Sequence, residues 1–193
     1  MKALLAFSRG IDWLSEKVGN IVIWLVLAAV LISAGNAIIR KAFNIGSNAW
    51  LEMQWYLFAA VFLLAAGYTF LHNGHVRIDF ISSKLSARTR NVIDIIGIVA
   101  VVVPLCWMVM QLAWPLVMNA LSSGERSPNA GGLIRWPVYA LLPAGMALLL
   151  MQAASELIKR IAFLQGLIPD PLAHKEPGQE HGESTAATAG ESK

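Results

Sequence analysis

The stretch "VGNIVIWLVLAAVLISAGNAII", Val18 to Ile39, runs 22 residues without a charge between Lys17 and Arg40. A helix rising about 1.5 Å per residue needs about 20 apolar residues to cross a hydrocarbon core of about 30 Å, so this stretch spans a bilayer unaided. Three further runs repeat the pattern. Met53 to Leu71 lies between Glu52 and His72, and Ile95 to Gly124 is uncharged, with its part as far as Leu121 reading as helix. Trp136 to Ser155 is also uncharged; Pro137 falls where a first helical turn accepts it, and Pro143 is placed to bend the helix. The third run is too long for an upright helix, so it must tilt, bend at Pro104 or Pro115, or project from the bilayer. Composition agrees. The charged fraction is 14% and the mean hydropathy +0.58, where soluble domains carry about 25% charged residues. The expectation is an all-α integral membrane protein with four transmembrane helices, at about 18–39, 53–71, 93–121 and 136–158.

Orientation follows from Lys and Arg, which gather on the cytoplasmic side of membrane proteins. Lys2, Arg9 and Lys17 precede the first span; Arg77, Lys84, Arg88 and Arg90 join the second to the third; Lys159, Arg160, Lys175 and Lys193 follow the fourth. Only Arg40, Lys41, Arg126 and Arg135 fall in the other two connections. Both termini are therefore expected in the cytoplasm of a multi-pass inner-membrane protein. Trp50, Trp114 and Trp136 then sit at the outer interface as an aromatic belt.

Residues 1–17 do not read as a cleaved signal peptide, because Arg9, Asp12, Glu16 and Lys17 interrupt them and the apolar run that follows exceeds a signal core of about 7–15 residues. Leu4, Phe7, Ile11, Leu14 and Val18 recur at helical spacing, which predicts an amphipathic helix in the inner interface or one packed on a partner. Residues 164–193 are expected to form a disordered cytoplasmic tail, rich in Pro, Gly, Glu, Ser and Thr from Pro169 onward. A net charge of +3 argues against nucleic acid as a partner, and the single cysteine, Cys106, excludes a disulfide within the chain.

No span carries a charge at its centre, whereas proteins that move ions or protons themselves show ionisable groups there. The spans carry amides instead: Asn36, Gln54, Gln111 and Gln152. Amides of this kind join helices in lipid, either within the bundle or to another subunit. Glu52 opens the second span, where the partial positive charge of a helix N-terminus stabilises a carboxylate and where a partner subunit could equally receive it. Arg135 and Trp136 close the outer loop and are further candidates for partner contact.

His72, His75 and Asp79 follow the second span at spacings of three and four. Asn73 and Gly74 predict that the helix stops before they can share a face, and a structural zinc site needs four ligands. No metal, phosphate-loop or nucleophile motif occurs, so no cofactor and no catalysis are expected. The cluster reads as a cytoplasmic boundary, with Arg77 on lipid phosphates and Ile78, Ile81 and Leu85 forming a short amphipathic turn on the inner surface. Ser86 is placed to cap the helix that becomes the third span.

The stretch "NAWLEMQWYLFAAVFLLAAGYTFLHNGHVRIDF", Asn48 to Phe80, opens on an acidic residue and closes on His-Val-Arg-Ile-Asp. It resembles the small membrane subunit, the DctQ-like family, of tripartite ATP-independent periplasmic (TRAP) transporters. Gly124 to Ile161 is similar to the subgroup described as mannitol or chloroaromatic type. The resemblance covers about Ser8 to Phe163. It implies a non-catalytic scaffold for a large multi-span subunit that carries the sodium and substrate sites, and a periplasmic binding protein that delivers an organic acid or similar solute. By position it implies that Glu52 and Gln54 lie in the membrane contact, that His75, Arg77 and Asp79 fix the inner-surface segment, and that residues 124–136 offer a docking surface to the binding protein. The competing reading is a standalone four-span accessory protein or small membrane enzyme.

Overall fold

The computed structural model describes residues 2–44, 46–72, 85–169 and 171. Four helices account for nearly all of them: α1 (Lys2–Phe43), α2 (Asn48–Leu71), α3 (Ala87–Ser123) and α4 (Trp136–Leu164). Each is long and apolar enough to cross a membrane. His75, Arg77 and Asp79, the amphipathic turn expected after them, and the tail beyond residue 171 lie outside the described residues.

The segment expected over 1–17 and the span expected from Val18 form one unbroken helix of 42 residues. At 1.5 Å per residue it is roughly 63 Å long. No proline occurs before Pro104 to interrupt it. Ser8, Ile11, Ser15, Gly19, Val22 and Ala29 face the bundle, while Leu4 and Phe7 of the expected amphipathic stripe are exposed. The reason is the solvent. Lipid tails are as apolar as leucine, so nothing drives large apolar side chains inward, and contacts between helices go to small and polar residues that allow close approach.

The third run forms a helix whose winding changes part-way along. Ser86 caps α3, its hydroxyl accepting the Thr89 N–H at 3.2 Å. The backbone then widens into a π turn over Ile98–Val102 immediately before Pro104. A proline inside a helix has no N–H to donate and its ring crowds the carbonyl four residues earlier, and a π turn relieves both. Pro115 and Pro143 lie inside α3 and α4 without ending them.

Helix α4 is the hub. It packs against α1, α2 and α3, while α1 and α2 pack on each other. At Gly145 the α2 backbone comes so near that an added Cβ would stand 2.7 Å from the Leu63 carbonyl oxygen. Gly19 of α1 likewise faces the ring of Tyr68 with no room for a side chain. The core is accordingly made of small residues, with Ala29, Cys106, Ala120, Ala153 and Ala162 fully buried. Large side chains such as Trp24, Trp55, Phe62, Trp107 and Leu112 point away from the bundle.

Candidate functional site

The connection between α3 and α4 is a small hairpin. Gly124, with φ of 63°, ends α3 in the left-handed conformation, and the Glu125 N–H returns to the Ala120 carbonyl. The Ser127 N–H then donates to the Leu133 carbonyl at 2.9 Å and the Arg135 N–H to the Glu125 carbonyl at 3.0 Å, with Arg126 and Ile134 bridged between them. The tip closes where the Gly132 N–H reaches the Asn129 carbonyl across Gly131, whose φ of 73° suits glycine.

Three residues of α2 hold this hairpin, and they are spaced four apart on one helix face. The Asn48 amide donates to the Ala130 carbonyl at 3.3 Å, and the Tyr56 hydroxyl to the Ile134 carbonyl at 3.2 Å. Between them the Glu52 carboxylate accepts from the Leu133 N–H and the Asn129 amide, each at 2.7 Å, and from the Ser127 hydroxyl. Within its own chain Glu52 thus holds the hairpin, a role in addition to the helix-end and partner contacts considered for it. Nothing local in the sequence announces this, but the polar row Asn48, Glu52, Tyr56 on an otherwise apolar span was a usable signal.

Arg135 donates to the Glu125 carboxylate at 3.1 Å and to the Tyr139 hydroxyl at 3.2 Å, locking the hairpin to the start of α4. The Tyr139 bond, and then Glu125, hold its guanidinium further toward the charged form. Left facing outward are Arg126, Pro128, Ala130, Gly131, Ile134 and, beside them, Trp136.

The opposite end of the bundle is held by ions. Asp12 of α1 accepts from the Gln152 amide at 2.9 Å, the Ser155 hydroxyl at 2.7 Å and Lys159 at 3.0 Å. Lys159 also meets Glu156 at 2.5 Å, and Arg160, 1% exposed, lies 3.2 Å from Asp94 of α3 and 3.5 Å from Glu156. Ser15 donates to the Gln152 carbonyl oxygen at 2.7 Å, and Ser8 and Ser155 share a bond of the same length. His72, at the end of α2, joins Glu16 of α1 at 3.1 Å. Among the described residues no group of three or more His, Cys, Asp or Glu is placed to hold a metal.

The amides of the spans divide in two. Gln152 is used within the chain, whereas Asn36, Gln54 and Gln111 make no side-chain hydrogen bond among the described residues. Asn36 lines a groove of about 250 Å³ between α1 and α2 with Leu31, Ile39 and Trp50. Gln111, exposed, lines one of about 630 Å³ between α3 and α4 with Trp107, Trp114 and Ala144.

Residues 29–163, well over half of the chain, match the family model for the DctQ component of the tripartite ATP-independent periplasmic transporters. The chain belongs to the DctQ family. It is a component of a transporter and not an enzyme, so the reading as a small membrane enzyme falls. No curated protein and no solved structure matches it. For a DctQ component the two ends differ in kind: one carries a shaped hairpin fixed on α2, the other a buried ionic lock joining α1, α3 and α4. Membership also implies association with a large membrane subunit and a periplasmic binding protein.

Proposed function

We propose that this DctQ chain is the fixed membrane scaffold of a sodium-coupled transporter for an organic acid or similar small solute, with its termini in the cytoplasm. In this reading the α3–α4 hairpin receives the periplasmic binding protein. The observation that carries it is the Glu52 clamp: three donors of one connecting loop converge on a single carboxylate. Such a loop keeps one shape and presents Arg126, Ile134 and Trp136 as a preformed surface. The same clamp supports a static role, since a subunit that itself moved solute would need ionisable groups inside its spans, and these have none at their centres. Asn36, Gln54 and Gln111, with the two apolar grooves beside them, are the side chains offered to the large subunit.

The test is uptake by the complete transporter with Arg126→Glu in the hairpin. Uptake should fall severalfold while the large subunit still co-purifies in normal amount; undiminished uptake would reject the hairpin as the docking surface. Orientation is checked separately. In a Cys106→Ala background, Ala130→Cys should react with a membrane-impermeant maleimide added to spheroplasts, and labelling only after lysis would reverse the proposed topology.

A further inference from the structure

The inner end holds one feature that scaffolding does not use, a cavity of about 440 Å³ between the start of α1 and the end of α4. Lys2, Leu5, Arg9 and Asp12 line it from one face of α1, at steps of three, four and three. Lys159 and Ile168 complete it from the other side. Ile168 is carried there by a reversal after α4, in which Gly166 takes a φ of 72° and the Leu167 N–H returns to the Ala162 carbonyl at 3.0 Å. Among the described residues, charge in this cavity is unbalanced. Lys159 is engaged by Asp12 and Glu156, but Lys2 and Arg9 have no carboxylate within ion-pair distance among the described residues. Two cations therefore stand over an apolar wall of Leu5 and Ile168. On its outer side the same stretch of α1 exposes Leu4, Phe7 and Trp13, with the Lys17 ammonium 5.8 Å from the Trp13 ring. Exposed aromatic and aliphatic groups interleaved with Lys and Arg are the pattern of a helix at headgroup depth.

We propose that this cavity seats the headgroup of an anionic phospholipid, with Lys2 and Arg9 on the phosphate and Leu5 and Ile168 against the glycerol and the first acyl carbons. A free phosphate would satisfy the cations but gain nothing from the apolar wall. The physiological setting rests on the cytoplasmic placement of the termini proposed above; lipid binding in micelles does not depend on it, so the two fail separately. The test uses the purified, delipidated complex of this chain with its large subunit, titrated with phosphatidylglycerol and read by native mass spectrometry. Saturable binding is expected, with the Lys2→Gln/Arg9→Gln variant needing roughly thirtyfold more lipid for half-occupancy, from the attraction of about 1 kcal/mol that each surface Lys or Arg exerts. Lys2→Arg/Arg9→Lys should restore the wild-type titration, and Arg40→Gln/Lys41→Gln at the other end should leave it unchanged. Equal titration of wild type and Lys2→Gln/Arg9→Gln would overturn the proposal. So would competition by millimolar inorganic phosphate as effective as that by the lipid, which would make the cavity a free-anion site.

Discussion

Glu52 shows how much one carboxylate can organise when each of its oxygens is claimed by a donor. Ser127 and Asn129 donate to Oε1 and Leu133 to Oε2, so an amide of the same shape cannot substitute. Glutamine at this position would turn its NH₂ toward at least one donor, leaving that group unpaired. Glu52→Gln should therefore loosen the hairpin nearly as much as Glu52→Ala. Limited trypsin digestion reads this directly: cleavage after Arg126 should accelerate severalfold in both variants and stay at the wild-type rate in Gln54→Ala, whose side chain holds nothing in the loop. His72 makes the contrast at the other end. Its pair with Glu16 is between side chains 38% and 45% exposed, and such surface pairs contribute under about 1 kcal/mol. His72→Ala should accordingly shift the thermal midpoint little and leave the trypsin pattern unchanged.

At the scale of the elements, the four spans were legible because a hydrocarbon core leaves a long uncharged run few alternatives, and the Ser86 cap was legible because its chemistry is local. The buried face of α1 was not. The expected stripe of Leu4, Phe7, Ile11, Leu14 and Val18 belongs to the membrane interface or a partner and says nothing of the face turned to the bundle, where Ser8, Ser15 and Gly19 take the contact. The hairpin escaped for another reason: its bonds join residues some 80 positions apart, and no spacing rule along the chain connects Glu52 with Leu133. Which small residue of the spans is indispensable depends on backbone proximity that only the folded bundle reveals. Gly145→Ala should destabilise the protein by about 1–3 kcal/mol, the usual cost of overpacking, because the obstructing atom is the Leu63 backbone oxygen and cannot swing aside. Gly10→Ala, with nothing within 4 Å, should be neutral or slightly stabilising. Thermal unfolding of both variants in one detergent separates the two cases.

Across the whole molecule, two polar fastenings sit at opposite ends of an apolar bundle. Arg135, capping α4, and Arg160 within it are 25 residues apart, roughly 37 Å by helical rise. The fastening at Arg160 is the costlier to break, because Arg160 is almost fully enclosed between Asp94 and Glu156. Removing one partner of a buried ionic cluster leaves the others uncompensated, typically at a cost of about 3–5 kcal/mol, whereas replacing all of them by apolar groups is often nearly neutral. Arg160→Leu should therefore lower the thermal midpoint sharply, and Arg160→Leu/Asp94→Leu/Glu156→Leu should recover much of that loss. A triple variant no more stable than Arg160→Leu would mean that the cluster, and not merely its balance of charge, holds α3 on α4. Sites this far apart and without shared partners act independently. Arg160→Leu should thus leave trypsin cleavage at Arg126 at the wild-type rate, and combining it with Glu52→Gln should add the two effects. A hairpin that loosened in Arg160→Leu alone would show instead that the ionic lock sets the shape of the hairpin through α4, and the two ends would have to be treated as one device.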